Sequence, residues 1–231
     1  MACFERTKSF CDEHNLVINA DKTQLIIFKS PRTKLPVGYR LDVGGVSIEP
    51  AAAVQLLGFT LDLHLNFGDH INLTTKKCNS VLGVLARAAN WLPRDLLKLA
   101  YIALVRSHLE YCSAVLNAAA KTHLHKLDVI QKKAARIICQ APRDAHSDPL
   151  LDLLQLSSLQ SRRDEHILSL VDTFIAGNTH PALRDMFEVE RDGGIRVQAY
   201  RTVAAKRSFR PVATTLYNNR KATTPALAAV P

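Results

Sequence analysis

Apolar residues crowd nearly every side of the stretch from Leu96 to Leu116: Leu96, Leu97, Leu99, Ala100, Ile102, Ala103, Leu104, Val105, Leu109, Cys112, Val115 and Leu116. Helical spacing with so few polar faces predicts a buried helix. Arg106 and Glu110 are four apart and placed to pair, with the basic residue first, the less favourable order. A break is expected at residues 118–122, and a second helix starts near His123. At ~100° per residue, Leu124, Leu127, Ile130, Ala134, Ile137 and Ile138 fall within roughly 140° of arc. Lys121, Lys126, Lys132, Lys133 and Arg136 fall on the other side. The expected result is a helical hairpin, residues 96–139, around which the chain is organised. One face of its second arm packs on the partner and the other presents cations.

The flanking patterns are more varied. Phe4, Thr7, Phe10 and Cys11 have helical spacing, and the pattern begins abruptly, as though an element had been cut. Leu16 to Ile18 is a short apolar run, residues 19–23 read as a turn, and Leu25 to Phe28 as a buried strand. After a connection at residues 34–38, Tyr39, Leu41 and Val43 alternate with polar positions, Gly44-Gly45 supplies a tight turn, and Val46 and Ile48 resume the alternation, predicting a β-hairpin. Residues 54–61 form another apolar run, whose Gly58 implies a bulge or a close backbone approach. Asn66 or Asp69 then caps a helix with Ile71, Thr75, Cys78, Leu82, Leu85 and Ala89 on one face and Lys76, Lys77 and Arg87 elsewhere. Pro93 opens the first hairpin arm, where proline is tolerated. Beyond the hairpin, Ser147-Asp148-Pro149 starts a short helix through Leu156, and Leu159 to Ile175 forms another with Ile167, Leu170, Val171 and Phe174 as its face. From Gly177 the pattern weakens, and residues 225–231 read as a loose tail. These elements imply an α+β fold: a partial sheet region at 1–65, a helical domain at 66–140, a second helical region at 141–190, and a basic, weakly structured segment at 191–231.

Charge sharpens this picture. The 231 residues carry a formal net charge of +9, unevenly placed. Residues 121–143 hold six Lys/Arg against Asp128, net +5, and residues 191–221 hold eight against Asp192, net +7, leaving −3 for the rest. Two concentrated patches point to a polyanionic partner, with nucleic acid the expected one. Five scattered cysteines are poor material for a disulfide framework and read as reduced core thiols of an intracellular protein. Glu5, Arg6 and Lys8 interrupt the start where a signal peptide needs an apolar run, and no charge-free stretch is long enough to span a bilayer. His123 and His125 with Cys139 or His108 lack any CxxC or knuckle spacing, so no metal site is nominated. No GxxxxGK[ST] loop is present, and no Ser/His/Asp or Cys/His set stands out.

The order of short motifs is the specific signal. Asn19-Ala20-Asp21-Lys22-Thr23 before an apolar strand, Leu57-Gly58-Phe59-Thr60-Leu61-Asp62, and Leu65-Asn66-Phe67 with Asp69-His70-Ile71 resemble the later palm and first thumb residues of non-LTR (LINE-type) retrotransposon reverse transcriptases. Leu104 to Cys112, Ile130-Gln131 with Arg136-Ile137-Ile138, and Leu159-Gln160-Ser161-Arg162-Arg163 are similar to the region beyond the polymerase core. Arg201-Thr202, Lys206 to Phe209 and Leu216-Tyr217-Asn218 resemble the closing segment, so the likeness extends over nearly the whole chain.

The resemblance implies a short hairpin-and-strand remnant of a polymerase palm followed by a mainly α-helical, thumb-like body. It matches Lys22 to the lysine of the loop after the catalytic strand pair, a general acid toward departing pyrophosphate in a complete polymerase. It also implies binding of RNA, DNA or an RNA–DNA hybrid, with phosphate contacts from Lys126, Lys132, Lys133, Arg136, Arg201, Lys206, Arg207 and Arg210. Aromatics of the second patch are placed to stack on bases, Phe209 serving equally well as a packing anchor. A complete enzyme of this family uses Mg2+ ions held by aspartates, including an adjacent pair. No two aspartates are adjacent here, and Asp12, Asp21, Asp42 and Asp62 stand isolated, so this chain alone is expected not to polymerise and to need no cofactor. Two other readings remain: a helical protein-interaction module whose cations only solubilise it, and the non-functional remnant of a decayed element, aggregation-prone through exposed strand edges.

Overall fold

The structure is a computed structural model that describes residues 2–34 and 38–223. The tail expected at residues 225–231 lies outside them, as do three residues of the connection at 34–38. The chain divides into two compact units, Met1–Phe67 and Gly68–Pro231, and its class is α+β.

In the first unit, helix α1 (Ala2–Glu13) precedes a single 3-10 turn, Ala20–Lys22. Two antiparallel hairpins follow, β1 (Leu41–Val43) with β2 (Val46–Ile48), and β3 (Ala53–Leu56) with β4 (Phe59–Asp62). The first has the expected Gly44-Gly45 turn, with φ of 60° and 83°, the pair of positive values that matches the strand twist. The second corrects the expectation of one bulged strand at 54–61. Leu57 and Gly58, with φ of 50° and 79°, form a two-residue turn that folds the run back on itself, pairing Leu56 with Phe59. The strand expected at Leu25–Phe28 is also absent. Leu25 makes one parallel bridge to Pro50, and Lys29 N–H donates to the Leu63 carbonyl at 2.9 Å. These partners are the ends of the hairpins, so no neighbouring strand offers a ladder to extend. Asp62 orders the exit from β4: its carboxylate accepts the backbone N–H groups of His64 (3.0 Å), Asn66 (3.1 Å) and Phe67 (2.7 Å). Phe67 thereby meets Phe59 edge-on, ring centroids 5.5 Å apart, and these two with Val43 are the buried apolar side chains among the unit's described residues.

The second unit is helical. Helix α2 (Gly68–Ala88) buries Ile71, Cys78, Leu82 and Leu85, the stripe expected from sequence, together with His70. Its principal partner is α6 (Lys121–Ile138), which buries Leu124, Leu127, Ile130, Gln131, Ala134, Ala135 and Ile138. Asn72 meets Lys126, Asn79 meets Lys133, and Gln140 reaches the Ala89 carbonyl, so the two helices run parallel. Parallel neighbours need a crossover, and residues 89–120 supply it.

That crossover is the arm expected to be one helix buried all round. It is instead α3 (Arg94–Tyr101), a π-helical turn (Ile102–Arg106), α4 (Ser107–Glu110) and α5 (Ser113–Leu116), broken at Cys112, whose φ is 51°. Leu97, Tyr101, Val105 and Leu109 are buried at four-residue intervals. Such a stripe drifts ~40° per step on a 3.6-residue helix, and the wider π turn takes the drift back. The opposite side stays in solvent, with Leu96, Leu99 and Leu104 each at least half exposed. Its early part packs on α2 and α6, and α4 and α5 pack on the helix at Leu159–Ile175.

Short α7 (Asp148–Leu153) leads to α8 (Leu159–Ile175). Its buried positions are Leu159, Arg163, Ile167 and Val171. Leu170, expected on that face, is exposed, and an arginine occupies a core position. The segment after 191, where the pattern weakens, holds α9 (Val203–Arg207) and α10 (Phe209–Thr223). Ile167, Val171, Phe187, Ile195 and Ala213 form its core. Phe209 packs among Phe174 and Phe187 with centroids 6.2 and 6.1 Å away, and Asn218 pins Ile195 through both backbone groups, at 2.9 and 2.8 Å.

Candidate nucleic-acid interface

The parallel packing of α2 and α6 leaves a groove of about 640 Å³ along one side. Gly83, Ala86 and Ala89 from α2 and the residue after it keep the floor low, and Val129 and Ile137 form the apolar part of the α6 wall. Its polar lining is Asn79, Asn90, Lys133, Arg136, Gln140 and Arg143, without a single carboxylate. Two of these cations and Gln140 are held in place. Lys133 Nζ donates to Asn79 Oδ1 at 3.3 Å, Arg136 Nε to the Ala145 carbonyl at 2.8 Å, and Gln140 Nε2 to the Ala89 carbonyl at 2.6 Å. The Arg87 guanidinium lies along Gly83, its Nη1 3.9 Å from where a side chain there would begin. Fixed cations over a shallow, partly apolar floor suit a polyanion better than a compact neutral ligand.

The residues nominated from sequence are distributed more widely than one patch. Lys133 and Arg136 share the groove; Lys126 is exposed one turn before it and donates to Asn72 at 2.8 Å. Lys132 turns away to Asp148, 3.8 Å distant. Lys206 lines a separate cavity of about 620 Å³ with Tyr200 and Gln198. Arg201 is exposed before α9, Arg210 is half-buried in α10, and Arg207 is half-buried with a buried Nε that has no hydrogen-bond partner among the described residues. Further cations of this basic segment are consumed internally, Arg220 by both oxygens of Asp172 (2.9 and 2.5 Å) and Lys221 by Asp192. Lys22, in the first unit, is exposed on its 3-10 turn, with its backbone N–H held by Asn19. Sequence reasoning did not single out Arg87, Arg143 or the asparagines. The signal available was the matched seven-residue spacing of Asn72 and Asn79 with Lys126 and Lys133.

A half-buried and a buried polar cluster lie within the helical unit. The expected Arg106–Glu110 pair forms at 2.7 Å, and Arg162 adds to it, its Nη2 reaching Glu110 Oε2 at 3.0 Å. Burial alone would push the Glu110 carboxyl up, but hydrogen bonds from Arg162 and Arg106 hold it below the usual carboxylate range. Arg163 is the opposite case. Its Nη2 donates to Gln160 at 3.1 Å while Nε and Nη1 have no hydrogen-bond partner among the described residues. Burial pulls its pKa down against the pull of Asp128, whose own carboxyl is raised by burial. Among the cysteines only Cys78 is a described core thiol, its pKa pushed up to about 11 by burial; Cys11, Cys112 and Cys139 are half-buried. The described residues offer no group of three or more His, Cys, Asp or Glu placed to hold a metal ion. No described helix is long and apolar enough to cross a membrane.

Against known proteins, the chain is 26% identical over 161 residues to the probable RNA-directed DNA polymerase from transposon BS of Drosophila melanogaster. It is 29% identical over 142 residues to the RNA-directed DNA polymerase from mobile element jockey of the same organism. Its curated homologues are transposon RNA-directed DNA polymerases. The matches cover 68% and 58% of this chain, less than the likeness expected from sequence motifs, and 18% and 15% of the two polymerases. The chain thus spans under a fifth of the length of the relatives it matches. The resemblance to reverse transcriptases of non-LTR, LINE-type elements stands at this level of homology. No family model matches the chain, and no solved structure matches it.

Proposed function

We propose that this chain corresponds to the late palm, thumb and following region of a non-LTR reverse transcriptase and binds template–primer nucleic acid through the α2–α6 groove. The carboxylate-free row of Lys133, Arg136 and Arg143 over that groove carries the reading; the homology supplies its context. Lys126 continues the row, and the α9–α10 cations Arg201, Lys206, Arg207 and Arg210 form a second, weaker contact region. The chain holds no adjacent aspartates, so it does not transfer nucleotides by itself. Lys22 acts as general acid only as part of a complete polymerase.

The test is binding of a labelled RNA–DNA hybrid at increasing salt. Affinity falls steeply, with a log–log slope near −0.9 per phosphate neutralised, and Lys133→Glu with Arg136→Glu abolishes binding. Salt-independent binding, or none, overturns the proposal. The exposed apolar side of α3, Leu96 and Leu99, favours a second reading, a protein-docking module. In that case the charge reversals leave partner binding intact.

A further inference from the structure

Trp91 is the single tryptophan of the chain, and its side chain is 86% exposed. It stands at the corner between α2 and α3, directly after Ala89 and Asn90, which line the end of the cationic groove. The corner is rigid. The N–H groups of Trp91 and Leu92 both bond the Ala88 carbonyl, at 2.9 and 3.0 Å, and Pro93 fixes the entry to α3 with φ of −65°. Among the described residues no aromatic ring or cation stacks on the indole. An indole held out by a preorganised backbone leaves its ring face open to stacking.

The charge nearby selects the occupant. Arg87 and Arg94 flank the corner in sequence, and Arg143 lines the same end of the groove. Asp95 and Asp144 are the acidic residues next to them in sequence and line no part of it. Resting on the nucleic-acid reading above, we propose that Trp91 is a stacking platform for an unpaired base where a strand leaves the α2–α6 groove. The cations hold the phosphates and the indole face holds the base, whatever its identity.

A single tryptophan makes the test specific. The full chain is titrated with fluorescein-labelled oligothymidylate, reading anisotropy for binding and tryptophan emission for contact at Trp91. The expected result is quenching that saturates together with anisotropy, a Trp91→Ala dissociation constant raised about tenfold, and substantial recovery in Trp91→Phe. An exposed position makes the variants foldable, and circular dichroism checks this. Binding with unchanged emission and an unaffected Trp91→Ala affinity overturns the platform and leaves the groove reading intact. Equal quenching by a blunt duplex overturns the unpaired base. Failure to bind any oligonucleotide or hybrid overturns both proposals. Loss of self-association in Trp91→Ala with nucleic-acid binding untouched reassigns the corner to a protein contact and overturns the platform.

Discussion

Glu110 joins three segments of the chain through two guanidinium groups. Replacing it with Gln leaves Arg106 and Arg162 sharing a half-buried space without a counter-charge, at a cost of roughly 2–4 kcal/mol. Its folded pKa is depressed, so its contribution is present above the unfolded carboxyl pKa and lost as pH falls through the folded value. Urea denaturation of Glu110→Gln and the parent chain therefore differs most at neutral pH, and the gap closes on acidification. Arg163 predicts the reverse. A buried guanidinium with two nitrogens that lack a hydrogen-bond partner among the described residues is costly to desolvate, and Arg163→Met leaves the unfolding midpoint unchanged or raised. A loss above ~2 kcal/mol would contradict this account. Neither role was legible as such. The sequence marks Glu110 as a partner for Arg106 by spacing, but Arg162 lies fifty-two positions away, and nothing in the periodicity of α8 distinguishes a core arginine from a solvated one.

At the scale of elements, turns and helices carry different amounts of local information. Gly44-Gly45 announces its hairpin because two positive φ values suit few other residues. Leu57-Gly58 conceals the same geometry, since leucine in the left-handed region is rare. Leu57→Asn should stabilise the β3–β4 hairpin, by up to ~1 kcal/mol, and Gly58→Ala should weaken it by ~1 kcal/mol. Both effects are measurable as protection of the Val54 and Leu61 amides, which face each other across the hairpin, in hydrogen exchange. For α2 and α6, binding electrostatics belong to the pair of helices together. Each single reversal among Lys133, Arg136 and Arg143 is expected to reduce the salt slope of hybrid binding by about one. Lys132, turned to Asp148, is expected to change it little. An equal effect from Lys132→Glu would show that the whole cationic side of α6 is the contact surface.

At the scale of the molecule, the two units have unequal cores. The first relies on Val43, Phe59 and Phe67 as buried apolar side chains, while the second has a continuous helical interior and its own C-terminal cluster. Denaturation is expected to show two transitions, the earlier one belonging to residues 2–67 and reported by their amide exchange. A single coincident transition in all probes would refute independent unfolding.

Local pattern alone determined the α2 stripe, the phase of α6, the extent of α8, the Gly44 turn and the Arg106–Glu110 pair. Each is decided by residues within one or two turns of one another. The homology too was legible in sequence, because it lies in the order of short motifs. Tertiary structure decided the rest. It placed α6 parallel to α2, split the 96–116 arm around a π turn, left Leu25–Phe28 without a ladder, and used Phe209 for packing. It also set Lys133 and Arg136 beside Arg143 while sending Lys132 elsewhere. Those outcomes depend on which distant surface each face meets, and periodicity fixes the face of a helix without naming its partner.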